Sequence, residues 1–234
     1  NRIIVSHGLK IMPQNTKPGL KALIDACGFN KPDVSIQASD VGFRIAPVLN
    51  AAGRLGSAEE ALALVTTADG TESAGIAAHL VKLNRQRQDL CKKTTEHAVE
   101  LVGTEGFDAS DRRAIVLAHE DWNPGLIGIC CSRLAEQFGR PVVLMNKDGS
   151  SCRGSARSVP GFSVHEALVR CASVMNRDEE TLVFGGHHAA AGMTVPQDRF
   201  DEFVELFVGV ANEGIRSEDL VPAIEFDARA DLRE

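Results

Sequence analysis

Ala114-Ile-Val-Leu-Ala118, the turn His119-Glu-Asp-Trp-Asn-Pro-Gly125, an apolar-periodic run from Leu126 to Phe138 stopped by Gly139, and Val142-Val-Leu-Met145 follow one another without interruption. Short apolar runs bounded by turn residues are the pattern of buried strands. Asn123 with Pro124 is a helix N-terminus and Gly139 a C-terminal stop. The segment therefore reads strand, helix, strand, and it predicts an α/β body.

Downstream, Asp148-Gly149 turns the chain back into Arg153-Gly154-Ser155-Ala156-Arg157-Ser158. In an extended segment the two-residue period places Arg153, Ser155 and Arg157 on a single face. That face offers two guanidinium forks and a hydroxyl, groups suited to phosphate or carboxylate. The competing reading is a solvated edge strand whose arginines discourage edge pairing. Val159-Pro160-Gly161 then makes a turn, and Ser163 with Glu166 is a capping box opening a helix over Val164 to Met175.

Behind the apolar run Thr181 to Phe184 stands Gly185-Gly186-His187-His188-Ala189-Ala190-Ala191-Gly192. Glycines let a ligand approach the main chain, successive N–H groups in a turn form an anion nest, and an imidazole donates to a phosphate oxygen or shuttles a proton. The plainer alternative is a tight strand-to-helix turn with a half-buried His. An amphipathic helix with Phe200, Phe203, Val204, Phe207, Val208 and Ala211 completes the α/β body. Asp219 onward, with Val221, Ile224 and Phe226, reads as the first strand of a further domain.

Upstream the pattern is helical. Thr16 with Pro18 opens a segment carrying Leu20, Leu23 and Ile24 that stops at Gly28, and Ser57 with Glu60 makes a capping box before Ala61 to Val65. Between them Phe43 to Leu55 is an apolar run holding Arg44, Asn50 and Arg54; both arginines read as surface anchors with their stems on the core. From Thr71 to Val102, Ile76, Leu80, Leu83, Leu90, Thr94, Ala98 and Leu101 recur at helical steps, which predicts one helix of about 45 Å that bridges two bodies. Its Lys82, Arg85, Arg87, Lys92 and Lys93 read as a solvated face before they read as a phosphate rail.

The 44% hydrophobic and 24% charged content is that of a globular chain, and its 234 residues can hold two domains. One Trp and no Tyr argue against base stacking as the main binding mode. No apolar run is long enough to span a bilayer, and a cytoplasmic location is expected. Six cysteines, at 27, 91, 130, 131, 152 and 171, form no C-x-x-C pair and read as reduced, mostly packed thiols rather than zinc ligands or disulfides. The net charge of −7 is carried entirely by residues 196–234, with eleven acidic and four basic side chains, so residues 1–195 are neutral. A neutral body still has room for a basic track.

Asn50-Ala-Ala-Gly-Arg54-Leu, Asp121-Trp-Asn-Pro-Gly-Leu-Ile-Gly128, Arg157-Ser before Pro160-Gly161-Phe162, and Gly-Gly-His187, in that order, resemble the RecJ family of single-strand-specific 5′ to 3′ DNA exonucleases in the DHH phosphoesterase superfamily. The resemblance covers nearly all of the chain. It implies an α/β protein made of the end of a DHH catalytic domain (1–70), a long connecting helix (71–102), an α/β DHH-associated domain with a mixed sheet (103–214), and the start of an OB-fold (215–234). It further implies His187 beside the scissile phosphate and Arg157, Ser158 and Ser155 on the neighbouring phosphates. Arg153, Gly185 and Gly186 join the substrate surface, and Arg54 points towards an interdomain cleft. The family usually has His where this chain has Asn123, and His188 falls on a variable position.

By the same resemblance the Mn²⁺ or Mg²⁺ of the parent enzyme is held by acidic clusters and an Asp-His-His motif upstream of Asn1. The only His-His here follows Gly186 and is not that motif, so the chain alone is expected to be inactive. Single-stranded DNA is the implied ligand, with replication or recombination proteins as further partners and no membrane. Two other readings are a related DHH phosphoesterase acting on oligoribonucleotides or cyclic dinucleotides, and a non-catalytic nucleic-acid-binding module.

Overall fold

The computed structural model describes residues 1–14, 17–31, 35–107, 109, 111–176, 181–220 and 228. The chain divides into two compact units, residues 1–92 and 93–234. The fold is α/β, as the strand and helix alternation predicts, with the mixed sheet that the family resemblance implies.

Unit 1 is helical: α1 (Arg2–Ile11), α2 (Pro18–Ala26), α3 (Ala38–Asp40), a π turn (Val41–Ile45), α4 (Ala46–Leu55), α5 (Glu59–Thr66) and the first part of α6 (Gly70–Thr104). Leu23, Ile45, Val48, Leu64, Ala77 and Leu80 form its buried centre. Pro18 sits in the first turn of α2, where its missing N–H costs nothing; Thr16 lies outside the described residues. Arg44 behaves as the anchor expected of it. Its guanidinium lies 4.0 Å from the Phe29 ring centre and donates to the Cys27 carbonyl and the Asp40 carboxylate, each at 3.2 Å.

The Ser57 and Glu60 capping box does not form. Ser57 Oγ accepts from Glu59 N instead, at 3.1 Å, so α5 starts two residues earlier than expected. Glu60 instead reaches across to α6, where its carboxylate hydrogen-bonds His79 Nδ1 at 2.7 Å. Helix α6 runs within two residues of its predicted ends, and Asp69 Oδ1 caps it by accepting from Thr71 N and Glu72 N at 2.7 and 3.0 Å.

Unit 2 is built on five strands: β1 (Ile115–His119), β2 (Val142–Asp148), β3 (Ser151–Arg157), β4 (Val183–His187) and β5 (Ala190–Pro196), in the order β1-β2-β3-β5-β4. Only β1 and β2 run parallel, joined through α7 (Pro124–Phe138). Asn123 Oδ1 caps α7 by accepting from Gly125 N at 2.8 Å, and Gly139, at φ 61°, ends it in the left-handed region. Two further helices, α8 (Val164–Met175) and α9 (Phe200–Gly214), pack on each other and on the sheet. Ser163 Oγ caps α8 through Glu166 N at 3.2 Å. The turn before it forms as predicted: Phe162 N donates to the Val159 carbonyl, with Pro160 second and Gly161 third at φ 84°.

Two alternatives fall away. Strand β3 lies between β2 and β5, so Arg153 and Arg157 do not guard a sheet edge. The Gly185 stretch is no strand-to-helix turn: Gly185 to His187 belong to β4, the hairpin turns at His188 and Ala189, and β5 returns alongside. Antiparallel pairing with β5 wins because Ala190 to Val195 alternate small and apolar side chains in register with β4. The strand expected over Val221, Ile224 and Phe226 lies outside the described residues.

Close helix packing in unit 1 gives one prediction. A Cβ on Gly19 of α2 would lie 1.5 Å from the Leu64 carbonyl oxygen of α5, whereas a Cβ on Gly75 of α6 meets nothing within 4 Å. Gly19→Ala should lower unfolding free energy by about 3 kcal/mol, and Gly75→Ala should raise it by about 0.5–1 kcal/mol, measured by urea denaturation; equal effects would contradict this packing. Thiol reactivity gives a second. Burial pushes the Cys131 and Cys171 thiols up to about 12 and raises Cys27 less, where the Arg44 guanidinium opposes it. All six cysteines are free and only Cys27 is part-exposed. A bulky thiol reagent at neutral pH should therefore modify Cys27 alone in the native protein and all six in denaturant; rapid native labelling of Cys131 would count against the closed α7 layer.

Candidate functional site

The strand register lays the sheet out in rows. On one face the rows are Ile115, Val142, Arg157, Ala190, His187; then Leu117, Leu144, Ser155, Gly192, Gly185; then His119, Asn146, Arg153, Thr194, Val183. The first two rows start apolar, on β1 and β2, and end polar or bare on β3, β5 and β4. Helix α7 explains the change, for it packs on β2 and β3 on this face and reaches no further than β3. Gly185, His187 and Gly192 are exposed, while Ser155 and Arg157 are part-buried at the boundary. The opposite face carries Cys152, Gly154, Ala156, Ala191, Met193 and Val195, all buried apart from the exposure of β4 itself, and Phe184 there meets His165 of α8.

The predicted one-sided set on β3 is therefore present, with Arg153 exposed at one end and Arg157 at the other. Arg157 is held in place. Its Nη1 donates to the Ala156 carbonyl at 2.8 Å, and its Nη2 lies over Gly128 of α7, 3.1 Å from where a Cβ would stand. Ser155 Oγ is 3.4 Å from the same point, so the glycine of α7 makes the room in which both side chains sit. Behind Ser155, Cys131 Sγ donates to its carbonyl at 3.1 Å. This ties the strand to α7 without using the serine hydroxyl.

Ser158 is placed differently. Its Oγ donates to the Phe162 carbonyl at 2.6 Å and its N–H to the Ala189 carbonyl at 2.9 Å, while Val164 N donates to the His188 carbonyl at 3.0 Å. Ser158 thus binds the hairpin tip to the turn before α8, and its hydroxyl has lone pairs but no proton to offer a ligand. His188 contributes its carbonyl to the same knot. His187, next to it, is exposed in the row of Arg157.

The two adjacent glycines differ. Gly186 has φ 156°, and a Cβ there would lie 2.5 Å from both the Ala190 carbonyl oxygen and Ala191 Cα. Packing of the hairpin alone demands glycine at that position. Because Gly185 to His187 form a ladder rather than a turn, the anion nest expected of successive N–H groups is not built there.

The sequence reading did not find a second polar group at the far end of the third row. His97 of α6 meets both His119 and Trp122 edge to face, with ring centres of His97 and His119 4.5 Å apart, and His119 lies tilted against Trp122. Trp122 Nε1 donates to His97 Nδ1 at 3.3 Å and Asp121 N to His119 Nδ1 at 3.1 Å. The members of this group come from a helix, a strand end and a turn, so no spacing in the sequence announces it. Among the described residues no three His, Cys, Asp or Glu side chains come together as a metal-ligand set. Arg54 belongs to α4 of unit 1 and is exposed.

Residues 111–213 match the DHHA1 domain family. The chain is 35% identical over 229 residues to the single-stranded-DNA-specific exonuclease RecJ of Bacillus subtilis, covering 97% of this chain and 28% of that protein. In structure it is similar to Thermus thermophilus RecJ in complex with Mg²⁺, at TM-score 0.77 and 33% identity over 91% of this chain and 31% of that one. It is also similar to an exonuclease RecJ bound to manganese, at TM-score 0.74 and 32% identity over 94% of this chain and 53% of that one. The chain thus spans about a third of the curated relatives it matches, between 27% and 40% of their length. By sequence and by fold, along nearly all its residues, it is similar to the RecJ exonucleases.

Proposed function

We propose that this chain is the phosphate-gripping part of a single-stranded-DNA-specific 5′ to 3′ exonuclease, which hydrolyses phosphodiester bonds in DNA repair and recombination. One observation carries the reading: His187, Arg157, Ser155 and Arg153 share one sheet face, Ser155 and Arg157 at the boundary of α7 and His187 and Arg153 exposed beside them. A guanidinium fork suits two phosphate oxygens, the Ser155 hydroxyl gives a third donor, and both arginines stay charged at any working pH. His187 is the group placed to donate where charge develops on the phosphate being cut. Ser158 and Gly186 serve the surface by holding its hairpin. Arg54, on α4 of unit 1, is a further substrate contact proposed for that unit alone.

Within that enzyme, residues 1–70 are the end of the DHH domain, 71–102 the connecting helix, 103–214 the substrate-binding domain and 215–234 the start of an OB-fold. The RecJ structures carry Mg²⁺ or Mn²⁺, and a divalent ion is the cofactor proposed for the whole enzyme, on ligands outside this chain. The described residues do not fit a metal centre, and none of the roles assigned here runs through one. Single-stranded DNA is the partner, with replication or recombination proteins beyond it; among the described residues no helix is long and apolar enough to cross a membrane.

Two measurements test the proposal. Arg157→Ala should weaken binding to single-stranded DNA and flatten the slope of log K against log salt by about one unit; an unchanged slope in a folded variant would leave Arg157 as a packed surface charge. The chain alone, incubated with 5′-labelled single-stranded DNA and Mn²⁺, should release no mononucleotides; release that follows the purified chain would overturn the assignment of hydrolysis to ligands elsewhere.

A further inference from the structure

Gly128 stands in the interior of α7, where glycine is the poorest helix former after proline and alanine would hold the helix better. The backbone does not ask for it, since its φ is not positive. Nor does helix-to-sheet packing. The three atoms nearest to an added Cβ are all side-chain atoms of β3: Arg157 Nη2 at 3.1 Å, Ser155 Oγ at 3.4 Å and Ser155 Cβ at 3.7 Å. Gly19 and Gly154 differ, because a Cβ on them would lie 1.5 and 2.9 Å from the Leu64 and Leu144 carbonyl oxygens. Those two glycines are required by backbone that has no room to move. Gly128 lies instead against a guanidinium, the far end of a flexible side chain, and that side chain belongs to the phosphate-gripping face.

We infer that Gly128 is a positioning residue, which sets where the Arg157 guanidinium stands by leaving a notch in α7 for Nη2. The inference rests on the phosphate-gripping reading and adds to it the element that orients one of its arginines. Two hydrogen bonds decide which group yields to a methyl at position 128. One turn along α7, Cys131 Sγ donates to the Ser155 carbonyl at 3.1 Å, and β3 is paired on both sides, with β2 and β5, so the strand is not free to draw back from the helix. The guanidinium is free to yield, held on β3 by the single bond from Nη1 to the Ala156 carbonyl at 2.8 Å. Ordinary contact with a new Cβ needs a shift of a few tenths of an ångström, and Nη2 makes it. A planar fork matches two phosphate oxygens through the placement of both its arms, so that shift reaches the ligand. A lysine ammonium at the same position, a point charge with no second arm, is insensitive to the notch. The helix forgoes stability at Gly128, and what it gains is the seat of the arginine.

The test is a double-substitution cycle in the full chain: Gly128→Ala and Arg157→Lys, singly and together, with Arg157→Ala beside them. Three quantities are read: melting temperature, affinity for a labelled oligothymidylate and, without DNA, the Arg157 side-chain Nε–H resonance. Gly128→Ala should melt no lower than the parent, move the Arg157 resonance and bind about threefold more weakly, while in the Arg157→Lys background the same change should leave affinity where it was. A drop in melting temperature for Gly128→Ala would make Gly128 a packing glycine and overturn the inference. Parental affinity for Gly128→Ala, or an equal loss in the Arg157→Lys background, would overturn it too; if Arg157→Ala still weakens binding in that case, the phosphate-gripping face stands without the notch. If Arg157→Ala binds as the parent does, or the chain does not bind, the functional reading fails and the positioning role fails with it.

Discussion

Everything on the open face depends on the register of β3. Its even-numbered residues, Cys152, Gly154 and Ala156, are buried against the helices of one side, and its odd-numbered ones, Arg153, Ser155 and Arg157, face the other. A slip by one residue would bury two guanidinium groups and expose the small apolar set. Gly154 fixes the register sterically, because a Cβ there would come within 2.5 Å of Met145 Cγ and 2.9 Å of the Leu144 carbonyl oxygen. Only a glycine passes opposite Met145, so the strand has one position in which it fits. The arginines are placed by a packing constraint on the far side of the sheet.

From that register the rest follows by pairing. Strand β5 repeats the alternation, with Ala191, Met193 and Val195 buried, and β4 completes the sheet. Helix α7 packs on β2 and β3, so the first two rows pass from an apolar, covered end to an open one. The boundary falls on Arg157 and Ser155. Arg157 there has its guanidinium against Gly128 of α7 and on the Ala156 carbonyl, so it is part-buried and held in place at the edge of the open side.

Much of this was legible in the sequence because the deciding signals are local. The caps Asn123 and Ser163, the stop at Gly139, the Val159-Pro160-Gly161 turn and the two-residue period of β3 depend on neighbours in the chain, and each forms as read. What the sequence did not yield depends on contacts across the fold. Gly185 to Gly192 has the composition of a turn, and only its pairing with β3 through β5 makes it a hairpin. Ser57 and Glu60 have the spacing of a capping box, but His79 on another helix takes the carboxylate. The His97, His119 and Trp122 stack joins three elements, and the difference between Gly185 and Gly186 turns on which side of β4 a Cβ would point. The further domain expected from Asp219 falls largely outside the described residues.

The central claim is that, within unit 2, the uncovered part of the sheet face is the surface that meets the nucleic acid. Amide chemical-shift mapping of the isotopically labelled chain during titration with oligothymidylate tests it most directly, because it reports where the ligand sits without relying on a substitution. The account predicts that the largest shifts cluster on Arg153 to Arg157, Gly185 to His187 and Ala190 to Thr194, with the buried ladder of β1 and β2 little changed. Shifts concentrated on the helices α8 and α9, or on α1, with the β3–β5–β4 face silent, would contradict it.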